Sequence, residues 1–330
     1  MQRGFWGTAP VIASCSLLFV SSVGLPFQSA PDTKVTLTPR ARTVPLNVPA
    51  GAAHLRVDAS LAVIPVHVTT DAGNPVMMLD KANFRIYEEG VQQTITYFAQ
   101  DDAALSVGLV FDSSGSMKDK KKKAAEAAAA FFQTATQQDE FFLVEFDERP
   151  NFRVPFTPDS KMLYDRILRT KPFGRTSLLD AIDMALTHMK DAHNSRKAIV
   201  ILSDGDDNRS SHTFLQIKNH LLETDVQLYA MGIFDPDDPN KAAPDDLNGP
   251  RLLDDLSRES GGTHFRVGRL ADLPEIAQRL GRELRSQYLL GYSPSNEIRD
   301  GKYRRVKVDL LEQNAPLNLR YRRGYYAPTQ

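Results

Sequence analysis

Between about residues 103 and 285, short apolar runs alternate with segments of helical periodicity. The runs are "LSVGLVF", "EFFLVEF", "KAIVILS", "VQLYAMGIF" and "THFRV". Helices are expected at "KKAAEAAAAFFQTA", around 160–169, from about Ser177 to Lys190, and over 211–222, 251–259 and 272–286. Strands that are apolar on both faces and separated by helices predict an α/β fold, with a mainly parallel sheet covered on both sides. The alanine-rich helix fits that arrangement. Its small side chains let it lie close to the sheet, and alanine has the best helix propensity.

On either side of this region the pattern changes to β. From Leu61 to Phe98, Ile64, Val66 and Val68 alternate with other residues, "DAGNPV" makes a turn, and Phe84 and Ile86 alternate again. "EEGV" then turns back before Ile95 and Tyr97. This reads as a short antiparallel unit. After Gln287, "YLLGYSP" is followed by alternation at Val306, Val308 and Leu310 and at Leu317, Leu319 and Tyr321, with "RDGK" as a hairpin-type turn. Each flank has too few strands to bury a core alone. Both are therefore expected to share one β-sandwich, with the α/β unit inserted between them. The resulting division is a leader over 1–30, a Pro-, Thr- and Ala-rich linker over 31–58, a β-rich flank over 59–101, the α/β domain over 102–286 and a second β-rich flank over 287–328.

The chain has 330 residues, 42% hydrophobic and 25% charged, which is ordinary for a globular protein. A formal net charge of −1 argues against nucleic acid or an anionic membrane as the main partner. The basic run Lys120–Lys123 opens the alanine-rich helix and reads as a solvated face. In the first thirty residues Arg3 is the only charge, and the next charge is Asp32. This is the layout of an export signal, cleaved near Ser22–Gly24 or near Ala30, or kept as an inner-membrane anchor. "IASC" around Cys15 also resembles the lipid-attachment box of bacterial lipoproteins. All three alternatives imply an exported protein, periplasmic, in the cell envelope or extracellular, that touches membrane only through an uncleaved or lipidated leader. Cys15 is the single cysteine, so the body has no disulfide and no cysteine-based zinc site.

In such a sheet, ligands bind at the carboxyl ends of the strands. Three oxygen-bearing clusters fall there. "FDSSGS" supplies Asp112, Ser114 and Ser116, "GRTSLLDA" supplies Thr176, and "ILSDGDDN" supplies Asp204. Five hard oxygen donors without imidazole or thiolate suit Mg²⁺, with Mn²⁺ or Ca²⁺ as alternatives. Without a cation, Asp112 and Asp204 would face each other as like charges. Taken singly, Ser116 or Thr176 reads better as a helix N-cap; only the five donors together favour the metal. "DGDDN" has the opening spacing of an EF-hand, but Arg209 stands where the loop needs glycine and Leu215 where it needs glutamate. The chain lacks Gly-x-Ser-x-Gly, His-Glu-x-x-His and the phosphate-cradling Gly-x-x-x-x-Gly-Lys, and none of its seven histidines falls in the three clusters. No enzymatic activity is expected.

Asp-x-Ser-x-Ser, a later threonine in a Gly-x-Thr loop and an Asp-Gly after a further apolar strand, in this order, resemble the von Willebrand factor A-type domain. The resemblance implies a doubly wound six-stranded sheet and a metal-ion-dependent adhesion site. In such a site Ser114, Ser116 and one or both of Thr176 and Asp204 touch the metal, and the remaining carboxylates act through water. An acidic side chain of a protein partner then completes the coordination. The flanks "FRIYEEGVQQTITYF", "YLLGYSP", "GKYRRVKVDL" and "YRRGYYAP" resemble an exported bacterial family known only as VWFA-related. The expected function is thus an exported, metal-dependent protein-binding module. The alternatives are an envelope scaffold whose metal only rigidifies the fold, and a subunit of a cytosolic chelatase or chaperone, which the leader disfavours. The acidic, proline-rich segment 234–249 follows "VQLYAMGIF" onto the same rim, as a mobile surface loop or as a loop selecting basic partners or holding another cation.

Overall fold

The computed structural model describes residues 61–101, 103–233, 248–311 and 316–329. The leader with Cys15, the linker, and residues 234–247 of the acidic segment lie outside the described residues. Four strands come first: β1 (Ala62–Thr70), β2 (Phe84–Glu88), β3 (Val91–Gln93) and β4 (Ile95–Asp101). The α/β unit follows with β5 (Leu105–Asp112), α1 (Lys121–Phe132), β6 (Glu140–Phe146), β7 (Pro150–Thr157), α2 (Ser160–Arg169) and α3 (Leu178–His188). It continues through β8 (Arg196–Ser203), α4 (Phe214–Leu222), β9 (Val226–Ile233), α5 (Asn248–Ser260), β10 (His264–Val267) and α6 (Leu273–Leu284). The chain ends in β11 (Gln287–Tyr292), β12 (Tyr303–Leu310), β13 (Leu317–Tyr321) and β14 (Gly324–Tyr326).

The central sheet has six strands in the order β10-β9-β8-β5-β6-β7, all parallel to their neighbours except β7. This is the doubly wound α/β sheet that the alternating pattern predicts. β5 lies in its middle, and all eight of its residues are buried. Leu105, Val107, Leu109 and Phe111 face the layer of α1, α2 and α6, where Ala124, Ala127, Ala128 and Leu280 meet them. Val110 faces α3, α4 and α5 through Ile182, Ile217 and Leu253. Burying each such large aliphatic side chain is worth roughly 1.5–3 kcal/mol. Gly108 shares that second face because the Phe142 ring crosses it; a Cβ there would lie 2.3 Å from the ring.

β7 is the strand that the hydrophobic pattern does not name. Pro150 and Pro155 interrupt its alternation, and most of its residues are only half-buried. It survives as a strand because it is the antiparallel edge of the sheet, paired with β6 through two register irregularities.

The flanks form two four-stranded antiparallel sheets, β13-β1-β11-β4 and β14-β12-β2-β3, each drawing strands from both ends of the chain. Their inner faces pack Ile64, Val66, Phe84, Ile86, Tyr288, Leu290, Val306 and Val308 into one core. The shared sandwich is therefore present, but its first flank is not a unit by itself. β1 pairs with β11 and β13, and only β2 and β3 pair within the flank. "EEGV" does close the β2–β3 hairpin, with Glu89 and Gly90 at φ of 49° and 83°. The "RDGK" turn does not close a hairpin. Gly301 takes a left-handed φ of 66°, yet β11 and β12 on either side belong to different sheets, so this connection crosses the sandwich. Among the described residues no helix is long and apolar enough to cross a membrane.

Candidate metal centre

At the carboxyl end of β5 the chain leaves the sheet through Asp112, whose side chain is fully buried. Its Oδ1 accepts the Ser114 amide at 2.8 Å, and its Oδ2 accepts the Ser203 hydroxyl at 2.5 Å. Ser114 is extended and buried and precedes a short 3-10 turn, Gly115–Met117. Ser116 lies in that turn and is exposed, its Oγ 3.1 Å from the Ser114 Oγ. Thr176 is buried just ahead of α3, and Asp204 is fully buried just beyond β8.

Backbone bonds pin the three loops together. The Gly115 amide donates to the Gly174 carbonyl at 3.0 Å, and the Phe173 amide to the Ser113 carbonyl at 2.9 Å. Asn208 accepts the Thr176 amide on Oδ1 at 3.1 Å, while the amides of Asn208 and Arg209 donate to the Thr176 carbonyl at 3.1 and 3.0 Å. The third loop is also fastened to α3 through Asp180, which accepts the Ser211 and His212 amides at 3.0 and 2.9 Å. Gly174 and Gly205 take φ of 78° and 82°, a backbone region that disfavours residues with a Cβ. Thus the first loop meets both others, and the second meets the third.

The electrostatics of this cluster are those of a site with surplus negative charge. Burial, and after it the charge of Asp204, raise the Asp112 carboxyl to about 7. Lys120 Nζ lies 3.2 Å from Asp204 Oδ2, with both side chains buried. The basic run is therefore not a uniformly solvated face. Lys120 turns inward, Lys121 donates to the carbonyls of Leu168 and Thr170, and only the rest of the run faces outward. The candidate donors of the three loops are carboxylate and hydroxyl oxygens, and one of them, Asp204, is paired with a cationic group of the chain. That donor set fits a hard divalent ion. Among the described residues no three His, Cys, Asp or Glu side chains gather to hold a metal, so the hydroxyls of Ser114, Ser116 and Thr176 would have to complete the set.

Sequence reasoning passed over Lys120, Ser203, Asn208 and Asp180. Ser203 and Asn208 flank Asp204 in the quoted "ILSDGDDN", and their polarity at the mouth of a buried strand was the available signal. Lys120 had a weaker one, its position eight residues after Asp112, where the chain is still turning from strand to helix. A cavity of about 590 Å³ lies elsewhere. Leu105, Arg196 and Gln227 line it at the opposite, amino ends of β5, β8 and β9, and none of the five oxygen-bearing residues borders it.

Residues 107–206 match the von Willebrand factor type A domain family. The matched A-type stretch contains Asp112, Ser114, Ser116, Thr176 and Asp204. Solved structures are similar at low identity. A von Willebrand factor type A protein from Catenulispora acidiphila is 12% identical with a TM-score of 0.47, covering 74% of this chain and 76% of that one. An aerotolerance-related membrane protein from Bacteroides fragilis is 18% identical with a TM-score of 0.45, over 55% of this chain and 98% of that one. The vWF domain of the type V pili tip protein Mfa5 from Porphyromonas gingivalis is 13% identical with a TM-score of 0.46, over 56% and 95%. No curated protein matches the chain.

Proposed function

We propose that the protein is an exported protein-binding module whose A-type site takes up a divalent cation and, with it, an acidic side chain of a partner. The observation that carries this reading is the mutual contact of three loops that bear two buried carboxylates and three hydroxyls, only one of which, that of Ser116, belongs to an exposed residue. Bound Mg²⁺, Mn²⁺ or Ca²⁺ would supply a Lewis-acidic position that a carboxylate oxygen can fill. The chain's own residues do the rest. Asp112 and Asp204 supply charge, Asp112 being held by the Ser203 hydroxyl and the Ser114 amide. Ser114, Ser116 and Thr176 supply neutral oxygens, which leave such an ion electrophilic. The N-terminus of α3, directly behind Thr176, adds positive potential toward an approaching anion. Export rests on the uncharged apolar stretch between Arg3 and Asp32.

The test is to immobilise the full chain and capture envelope or extracellular proteins with millimolar Mg²⁺ or Mn²⁺, and again with chelator. Capture that disappears with chelator, and also when the carboxylates of the captured partner are esterified, is the expected result. Capture indifferent to chelator would instead favour a scaffold whose site serves only the fold.

A further inference from the structure

Of the basic run, Lys120 alone sends its ammonium into the interior. Lys118 and Lys122 are exposed, Lys123 pairs with Glu126 in its own helix, and Lys121 caps carbonyls at the C-terminal end of α2. A lysine with only 7% of its surface exposed is rare unless it is paired, because an ammonium is strongly hydrated. The partner here is Asp204, at 3.2 Å and fully buried, one of the two carboxylates of the proposed centre. α1 begins directly after Lys120, whose amide bonds to the Met117 carbonyl, so the side chain is delivered to this point by the same turn that carries Ser114 and Ser116.

We infer that Lys120 is a built-in counter-cation that competes with the metal for Asp204, keeping the site folded without metal and setting how tightly metal binds. The inference rests on the metal reading of the site. An ammonium and a divalent ion cannot both sit against one buried carboxylate without strong mutual repulsion in a region of low dielectric. Metal uptake therefore requires the Lys120 side chain to leave, and the apparent affinity is reduced by the fraction of molecules in which it has left. A partner carboxylate that adds to the bound metal draws the same equilibrium forward, so metal and acidic partner load cooperatively.

The test titrates Mn²⁺ into the full chain by calorimetry and follows melting with Mn²⁺ and with chelator, for wild type, Lys120→Met and Lys120→Gln. Both variants should bind Mn²⁺ at least tenfold more tightly than wild type. Both should melt several degrees lower in chelator and show a larger Mn²⁺-induced rise. If Lys120→Met folds only with Mn²⁺, that too supports the inference, and Lys120→Gln, which keeps a donor, then supplies the affinity. Wild type and variants binding Mn²⁺ equally would overturn the competition while leaving the metal site intact. No Mn²⁺ binding by any of the three would overturn the metal reading itself, and the inference with it. Variants that unfold whether or not Mn²⁺ is present would make Lys120 purely structural and also overturn the inference.

Discussion

Asp112 shows at the scale of one residue an arrangement that stability alone would not select. Its carboxyl is fully buried beside the equally buried Asp204, and burial followed by that neighbour's charge raises it to about 7. Replacing it with asparagine keeps the shape and an acceptor for the Ser114 amide but removes the like-charge repulsion. Asp112→Asn should therefore melt no lower than wild type in chelator, yet lose the rise that divalent metal gives the wild type. At a hundredfold excess over Kd, that rise corresponds to about 2.7 kcal/mol. Thermal melts with and without Mg²⁺ or Mn²⁺ check this, and an undiminished metal shift in the variant would remove Asp112 from the site. The placement of Asp112 and Asp204 at the ends of β5 and β8 was legible because carboxylates at the mouth of an apolar strand have no packing role. Lys120 was not, because a lysine inside a run of lysines carries the same local signal as its solvated neighbours, and only the fold shows which one turns inward.

At the scale of elements, loops with few apolar contacts are held by side chains reaching from the helices. Asp180 of α3 accepts the Ser211 and His212 amides and the Ser211 hydroxyl, tying the loop after β8 to the helix that begins behind Thr176. Asp180→Ala leaves those donors without their acceptor, at a cost of about 1–3 kcal/mol. The effect should be local. Amide exchange over residues 205–212 should quicken while β8 itself keeps its protection, because its strand bonds to β5 and β9 are untouched. Hydrogen exchange read by mass spectrometry distinguishes this from uniform acceleration, which would mean that Asp180 supports the whole domain. Elements with strong periodicity were readable to within a few residues, as with the helix expected over 160–169 and found as α2. β7 was not readable, since its prolines and half-wet surface erase the pattern, and only the neighbouring β6 makes it a strand. The "RDGK" turn failed for a related reason. A left-handed glycine fixes the local bend, but not which sheet receives the next strand.

At the scale of the whole described region, a buried polar group links the sandwich to the α/β unit. His67 of β1 is completely buried. Its Nδ1 lies 3.2 Å from the Ser286 carbonyl, and its Nε2 lies 3.0 Å from the Tyr229 hydroxyl and 3.3 Å from Gln227 Nε2 on β9. The carbonyl requires a proton on Nδ1, which leaves Nε2 to accept from tyrosine and glutamine, so the neutral ring satisfies every neighbour. A second proton on Nε2 would face the Gln227 amide N–H and would force the Tyr229 hydroxyl to turn from donor to acceptor. Burial lowers the His67 pKa below its usual value of 6.5; Glu283 opposes the shift, and Arg320 and Arg196 add to it. Between the lowered folded value and 6.5 the unfolded chain holds more protons, so the stability from neutral His67 is complete above about pH 6.5 and is lost as pH falls toward the folded value. His264, which burial lowers to about 4, contributes with the same sign, whereas the raised Asp112 contributes stability that is lost as pH climbs toward 7. The informative quantity is therefore the difference between wild type and His67→Gln. From pH 7.5 to pH 5 the wild type should lose more melting temperature than the variant, by about 2–4 °C for each kcal/mol that His67 contributes. Equal losses would mean that the junction holds without reading pH. If the wild type loses more, the same protonation acts on β9, whose carboxyl end stands beside β8 and Asp204, so acid should loosen the α/β unit from the sandwich before it melts the central sheet.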